Sequence, residues 1–183
     1  MQLVKPRLKK LLIVAVAALA AALIGEHIYA SAAFTASQRK LAETVKFSTY
    51  LPDYMPEGYK LVQLKFSTRP NTSQPDLTVV YEKNAIRLTI YEYDLGVARA
   101  AFKDCGPVNT QSESTAGCRL EGETPRGVGV YQDGTPTAGP YHDYITLGNT
   151  RLSLSPATDA ISEGVKIFSS LNQVSPNQLP FRR

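Results

Sequence analysis

Cys105 and Cys118 are the residues of this chain whose chemistry is most directly stated. They lie in a stretch rich in Gly, Ser, Thr, Asn and Pro with almost no apolar pattern, where a cross-link substitutes for missing core contacts. In an oxidising compartment two such thiols are expected to pair. Closing a loop of about 14 residues contributes roughly 3 kcal/mol on the chain-entropy account. Two free loop thiols are the alternative. A zinc site is not expected, because two thiols and a distant His142 lack the ligand number and spacing of a tetrahedral centre. As nucleophiles the cysteines have no nearby base. His142 is followed by Asp143, but neighbours along a strand point to opposite faces, so that carboxylate does not orient the imidazole.

The patterns of common catalytic machineries are missing as well. The sequence holds no G-x-S-x-G, P-loop, H-E-x-x-H or G-x-G-x-x-G arrangement. Gly127-Val128-Gly129 precedes no helical pattern and reads as strand with close backbone approach. No cofactor and no metal are expected, and the chain reads as a non-enzyme. Tyrosine is the residue in unusual supply, ten against no tryptophan. Tyr91, Tyr93, Tyr131, Tyr141 and Tyr144 form a candidate aromatic surface for a protein, peptide or glycan partner. The competing account is strand propensity, which enriches tyrosine in sheets without any ligand.

The basic N-terminus sets the address of that surface. Lys5, Arg7, Lys9 and Lys10 precede residues 11–24, a run of Leu, Ile, Val and Ala without a polar side chain. As a helix this run rises about 21 Å, and extension to residue 30 reaches the roughly 30 Å of a hydrocarbon core. Glu26, His27 and Tyr29 then fall at the interfacial layer. Two readings stay open: a single-pass anchor over residues 11–30 in contact with membrane lipid, or a signal peptide cleaved after Ala30-Ser31-Ala32, giving a secreted domain. In both, the basic end stays in the cytoplasm and the rest is exported. From residue 33 onward 16 basic and 15 acidic side chains nearly cancel, so no nucleic-acid footprint is expected.

The elements that must position the tyrosines follow from apolar periodicity. Residues 59–67, 77–81 and 86–93 alternate as strands, the last two as a hairpin. In its second arm Ile86, Leu88 and Ile90 share one face, while Arg87, Thr89, Tyr91 and Tyr93 share the other. Residues 95–102 suit one or two helical turns. Residues 127–131, 141–147 and 150–155 read as further short strands, the last two joined at Gly148-Asn149. Ser155-Pro156 matches an N-cap with proline at the first helical position. The helix beyond it places Ile161, Val165, Phe168 and Leu171 on one stripe. The fold class is therefore α+β: an N-terminal hydrophobic helix, then an antiparallel sheet of five or six strands covered by a C-terminal amphipathic helix. The expected organisation is a basic tail (1–10), the anchor or signal segment (11–30), a stalk (31–46), the domain (47–174) and a tail (175–183).

Tyr50-Leu51-Pro52 followed by Pro56-Glu57-Gly58-Tyr59-Lys60-Leu61 resembles the opening motif of an uncharacterised bacterial extracytoplasmic domain family. That domain of unknown function often follows a single transmembrane helix in anti-sigma-factor-like membrane proteins. The order and spacing of the hairpin and of the closing helix, ending Phe168-Ser169-Ser170-Leu171, are similar, and the likeness spans roughly residues 47–174. The resemblance implies a sheet-plus-helix domain with a sensory or interaction role at the cell envelope and no active site. Ten residues precede the apolar run, so a sigma-factor-binding cytoplasmic domain is not expected. The expectation is a membrane-anchored envelope protein whose outer domain binds an unknown protein or envelope ligand. The alternative is a structural component of a membrane complex acting through its transmembrane helix.

Overall fold

The computed structural model describes residues 6–68, 74–95, 118–133, 142–156 and 161–183. The chain forms two compact units, residues 1–37 and 38–183. The first is built on helix α1 (Pro6–Ala42), which contains a stretch of mean hydropathy 1.4 with none of it buried. Val16, Leu19, Leu23, Ile24 and Ile28 are all exposed. A helix this long and apolar can cross a membrane, and a signal sequence has the same character.

The second unit is an α+β domain. Seven strands form one antiparallel sheet: β2 (Lys60–Thr68), β3 (Pro75–Lys83), β4 (Ile86–Asp94), β5 (Cys118–Glu123), β6 (Gly129–Asp133), β7 (His142–Leu147) and β8 (Thr150–Ser155). Their order across the sheet is β2-β3-β4-β8-β7-β6-β5. Helix α2 (Ile161–Ser169) packs on one face. Two short strands, β1 (Thr49–Pro52) and β9 (Leu171–Val174), pair with each other as a separate antiparallel ribbon.

The alternating patterns become the core. Leu64 and Phe66 of β2 lie beside Leu77 and Val79 of β3, then Ile90 of β4, Leu152 and Leu154 of β8, Ile145 of β7 and Val130 of β6. Ile167 and Phe168 of α2 close this layer. Each such side chain, fully buried, contributes about 1.5–3 kcal/mol. Glycine lets α2 come close to the sheet: a Cβ added at Gly122 would stand 3.1 Å from Cγ2 of Val165.

The sheet has more strands than the expected five or six. Strand β5 has Leu120 as its one large apolar side chain, 51% exposed, so no alternation marks it in the sequence. The closing helix also differs from its sequence pattern. Ser155 pairs with Thr89 as the last residue of β8, residues 157–160 lie outside the described residues, and Leu171, expected on the helix stripe, opens β9.

The domain begins ahead of the expected boundary at residue 47. Gln38 and Ala42 are buried, Gln38 accepts a hydrogen bond from the Phe66 amide, and Leu41 and Val45 pack on the core. The expected tail at 175–183 is likewise part of the fold. A 3₁₀ turn (Pro176–Gln178) leads to buried Leu179, and Arg182 exchanges two backbone hydrogen bonds with Leu64 at the edge of β2. The Phe181 ring packs on Phe66 with centroids 5.8 Å apart. This tail covers a strand edge that would otherwise be open to pairing with another chain. Of the helical turns expected over 95–102, residues 96–102 lie outside the described residues, as does Cys105. Cys118 is described only through the backbone of β5, so the expected disulfide lies outside them too.

Candidate partner-binding face

Strand register sorts the tyrosines before any side chain is considered. Lys65 faces Thr78, Thr78 faces Tyr91, Tyr91 faces Ser153, Ser153 faces Tyr144, Tyr144 faces Tyr131, and Tyr131 faces Leu120. One row of paired residues thus crosses all seven strands. Tyr93 and Arg151 form a pair in the next row. Because strands alternate faces, these residues point away from the side on which Leu64, Ile90, Leu152 and α2 meet. Four of the five expected tyrosines therefore share the face opposite α2. The fifth, Tyr141, lies outside the described residues.

Sharing a face does not make them a surface. Tyr93 is 4% exposed and Tyr144 2%, so neither presents itself to a partner, and the expectation of a fully exposed tyrosine patch is corrected at these two positions. At Tyr144 the reason is local stacking. The guanidinium carbon of Arg151, itself buried, sits 4.1 Å from the centre of the Tyr144 ring. Tyr131 stacks on the same ring at 5.7 Å and 19°. Cation–π and offset-stacked contacts of this geometry favour a fixed, desolvated cluster. Gly129, two residues before Tyr131 on the same face, leaves room for its ring: a Cβ there would come within 2.8 Å of it.

Tyr91 and Tyr131 remain half-buried, roughly 14 Å apart at a strand spacing of about 4.8 Å. Tyr91 borders a groove of about 500 Å³ across β2, β3 and β4, within the roughly 300–1,000 Å³ of typical ligand sites. Buried Val80 and exposed Val62 line it together with Gln63, Thr89, Arg183 and the pair Glu82–Arg87, joined at 2.7 Å. The Arg87 side chain is 70% exposed, so its charge faces solvent at the rim. The lining thus combines an aromatic ring, two valines and polar or charged side chains, and no nucleophile–base pair lies among the groove residues.

Sequence reasoning missed one functional candidate, Glu92. The face that carries Ile86, Leu88 and Ile90 continues by parity to residue 92, so a carboxyl was due on the core side. The structure buries it completely, between Leu77 of β3 and Leu152 of β8 in register. Oε2 accepts the Tyr50 amide of β1 at 2.9 Å, and Oε1 has no hydrogen-bond partner among the described residues. Burial pushes this carboxyl well above the usual carboxylate range, opposed by the Tyr50 hydrogen bond. Among the described residues no group of three or more His, Cys, Asp or Glu is arranged to hold a metal ion. His142 and Asp143 behave as alternation requires: the histidine is half-buried, and Asp143 turns inward to accept from Gln132 at 3.3 Å.

No protein-family model, curated protein or solved structure matches this chain.

Proposed function

We propose that this chain is a non-enzymatic, single-pass protein of a cell envelope. Residues 11–30 cross the membrane with the basic end in the cytoplasm, and the sheet domain on the far side binds a protein or envelope ligand. The observation that carries the binding role is the groove beside Tyr91, on the sheet face that α2 leaves uncovered. The unburied apolar length of α1 and the basic residues before it support the anchor. The resemblance of residues 47–174 to an extracytoplasmic domain family supports the same address and an interaction role.

A second reading, assembly of a membrane complex through α1, is favoured by the exposed apolar residues along that helix. Site-specific photo-crosslinking in the native host separates the two. A photoreactive residue at Thr89 in the groove is expected to give one adduct of defined mass, weakened by Tyr91→Ala. A probe at Ser162, exposed on α2, is expected to give none. Adducts from a probe at Ala20 with none from Thr89 would transfer the role to the helix.

A further inference from the structure

The ribbon β1–β9 lies against the main sheet by way of a buried acid. We propose that Glu92 is a proton-operated latch for this ribbon: the neutral carboxyl lets β1 lie sealed over the sheet, and its ionisation drives β1 away. This device is separate from the groove and does not depend on what the groove binds.

The geometry supplies three elements of a latch. The first is a titratable group with no exposed surface, on the core face of a central strand, whose neighbours in register are Leu77 and Leu152. The second is a contact across the joint, the Tyr50 amide donating to Oε2 at 2.9 Å. The third is an oxygen, Oε1, with no hydrogen-bond partner among the described residues to stabilise a charge. An ionised carboxylate in that position must gain solvent or remain at high cost.

Which element yields follows from what each one is attached to. Leu77 and Leu152 belong to strands paired on both sides within the seven-stranded sheet. Among the described residues strand β1 pairs with β9 alone, over four residues. Its flanks are held by side-chain and loop contacts: Thr150 Oγ1 and Asn149 Nδ2 donate to the Ser48 and Lys46 carbonyls, the Asp53 and Tyr54 amides donate to the carbonyl and hydroxyl of Ser170, and Asn172 Nδ2 donates to the Asp53 carboxylate. Lifting β1 breaks these contacts at the ribbon but leaves the ladders of the seven-stranded sheet intact, and the proton passes to water.

The charges around the carboxyl favour the same response. From β3, Tyr81 interacts with it; that phenol is pushed up to about 12, by burial first and the Glu92 charge second, and stays neutral through the relevant range. From β1 only the Tyr50 backbone contributes, and no Lys, Arg or His side chain among the described residues offsets the cost of ionisation.

Hydrogen–deuterium exchange on the full-length protein in detergent, from about pH 5 to about pH 9, tests the latch. After correction for the intrinsic rate, protection of residues 48–53 is expected to fall by up to about tenfold per pH unit, while residues 77–81 keep theirs. In Glu92→Gln, which retains an acceptor for the Tyr50 amide, the fall is expected to vanish. The proposal is overturned if the two segments lose protection together, if residues 48–53 do not respond to pH, or if the glutamine variant responds like the wild type. Should that variant fail to fold, the comparison of the two segments in the wild type decides alone.

Discussion

The guanidinium of Arg151 lies over the ring of Tyr144 with its central carbon 4.1 Å from the ring centre, and both side chains are almost sealed from solvent. A cation over an aromatic face gains roughly 2 kcal/mol when desolvated. Here it stands at the centre of the face opposite α2, one strand from Tyr93 and stacked, through Tyr144, with Tyr131.

Replacing Arg151 by alanine removes that contact and opens space beside a buried ring. The unfolding free energy is expected to drop by about 2–4 kcal/mol. Arg151→Lys keeps the charge without the planar stack and should fall between. Urea denaturation checks both, with the midpoint shifted and the slope unchanged.

Gly129→Ala places a methyl where the far end of the Tyr131 ring now lies. The ring can swing away, so the expected cost is below about 1.5 kcal/mol, but its stacking on Tyr144 should be lost. Near-ultraviolet circular dichroism reads the loss directly. An unchanged tyrosine signal would contradict the packing described.

The hairpin between β3 and β4 turns through Asn84 and Ala85, both with positive φ, 50° and 65°. Two-residue turns of this kind favour Asn-Gly, and a left-handed alanine costs roughly 1–2 kcal/mol. Part of that gain is offset by the greater freedom of glycine in the unfolded chain. Ala85→Gly is therefore expected to stabilise the domain by about 0.5–1 kcal/mol in thermal unfolding.

Stability should depend on pH through Glu92, with a definite sign. Below the ordinary carboxylate value of 4.5 the residue is protonated in both folded and unfolded states, and its effect is neutral. Above it the unfolded chain releases the proton while burial makes the native state retain it. Stability therefore falls as pH rises, by at most about 1.4 kcal/mol per unit, until the raised native value is passed. Glu92→Gln should match the wild type at low pH and exceed it increasingly toward neutral pH. A Tm difference that stays constant with pH would refute this.

Removing residues 180–183 takes away Phe181 and the backbone bridge from Arg182 to Leu64. The edge of β2 is then open, and such an edge is a template for another strand. Light scattering on purified protein should show concentration-dependent association that the intact chain lacks.

The legible part of the fold was the part written in alternation. Strands β2, β3, β4, β7 and β8 carry it clearly, and the turn at Gly148-Asn149 separates the last two as its residue types suggest. Strands β1 and β9 were hidden because each is four residues long and pairs only with the other, across more than a hundred residues of sequence. Pro52 and the turn residues after it masked β1 further. Ile161, Val165, Phe168 and Leu171 suggested a longer helix, but Leu171 is held by the ribbon.

The candidate site was half legible. Residue parity put Tyr91 and Tyr93 on one face, and register adds Tyr131 and Tyr144 to it. Parity alone does not tell which members are covered: Arg151, adjacent in space through pairing, is what turns Tyr144 from surface into interior. Glu92 was readable by the same parity that identified Leu88 and Ile90. A lone carboxyl at the end of an apolar row is easily taken for the strand's solvent end, and the β1 amide docked on it is a long-range contact that parity does not show.

The central claim, an anchored protein presenting this domain across a membrane, is tested most directly by the intact mass of the protein recovered from fractionated native host cells. The account predicts a chain beginning at Met1 or Gln2, found in the membrane fraction. A soluble species beginning at Ala33 would contradict it, leaving a secreted domain without the apolar segment 11–30.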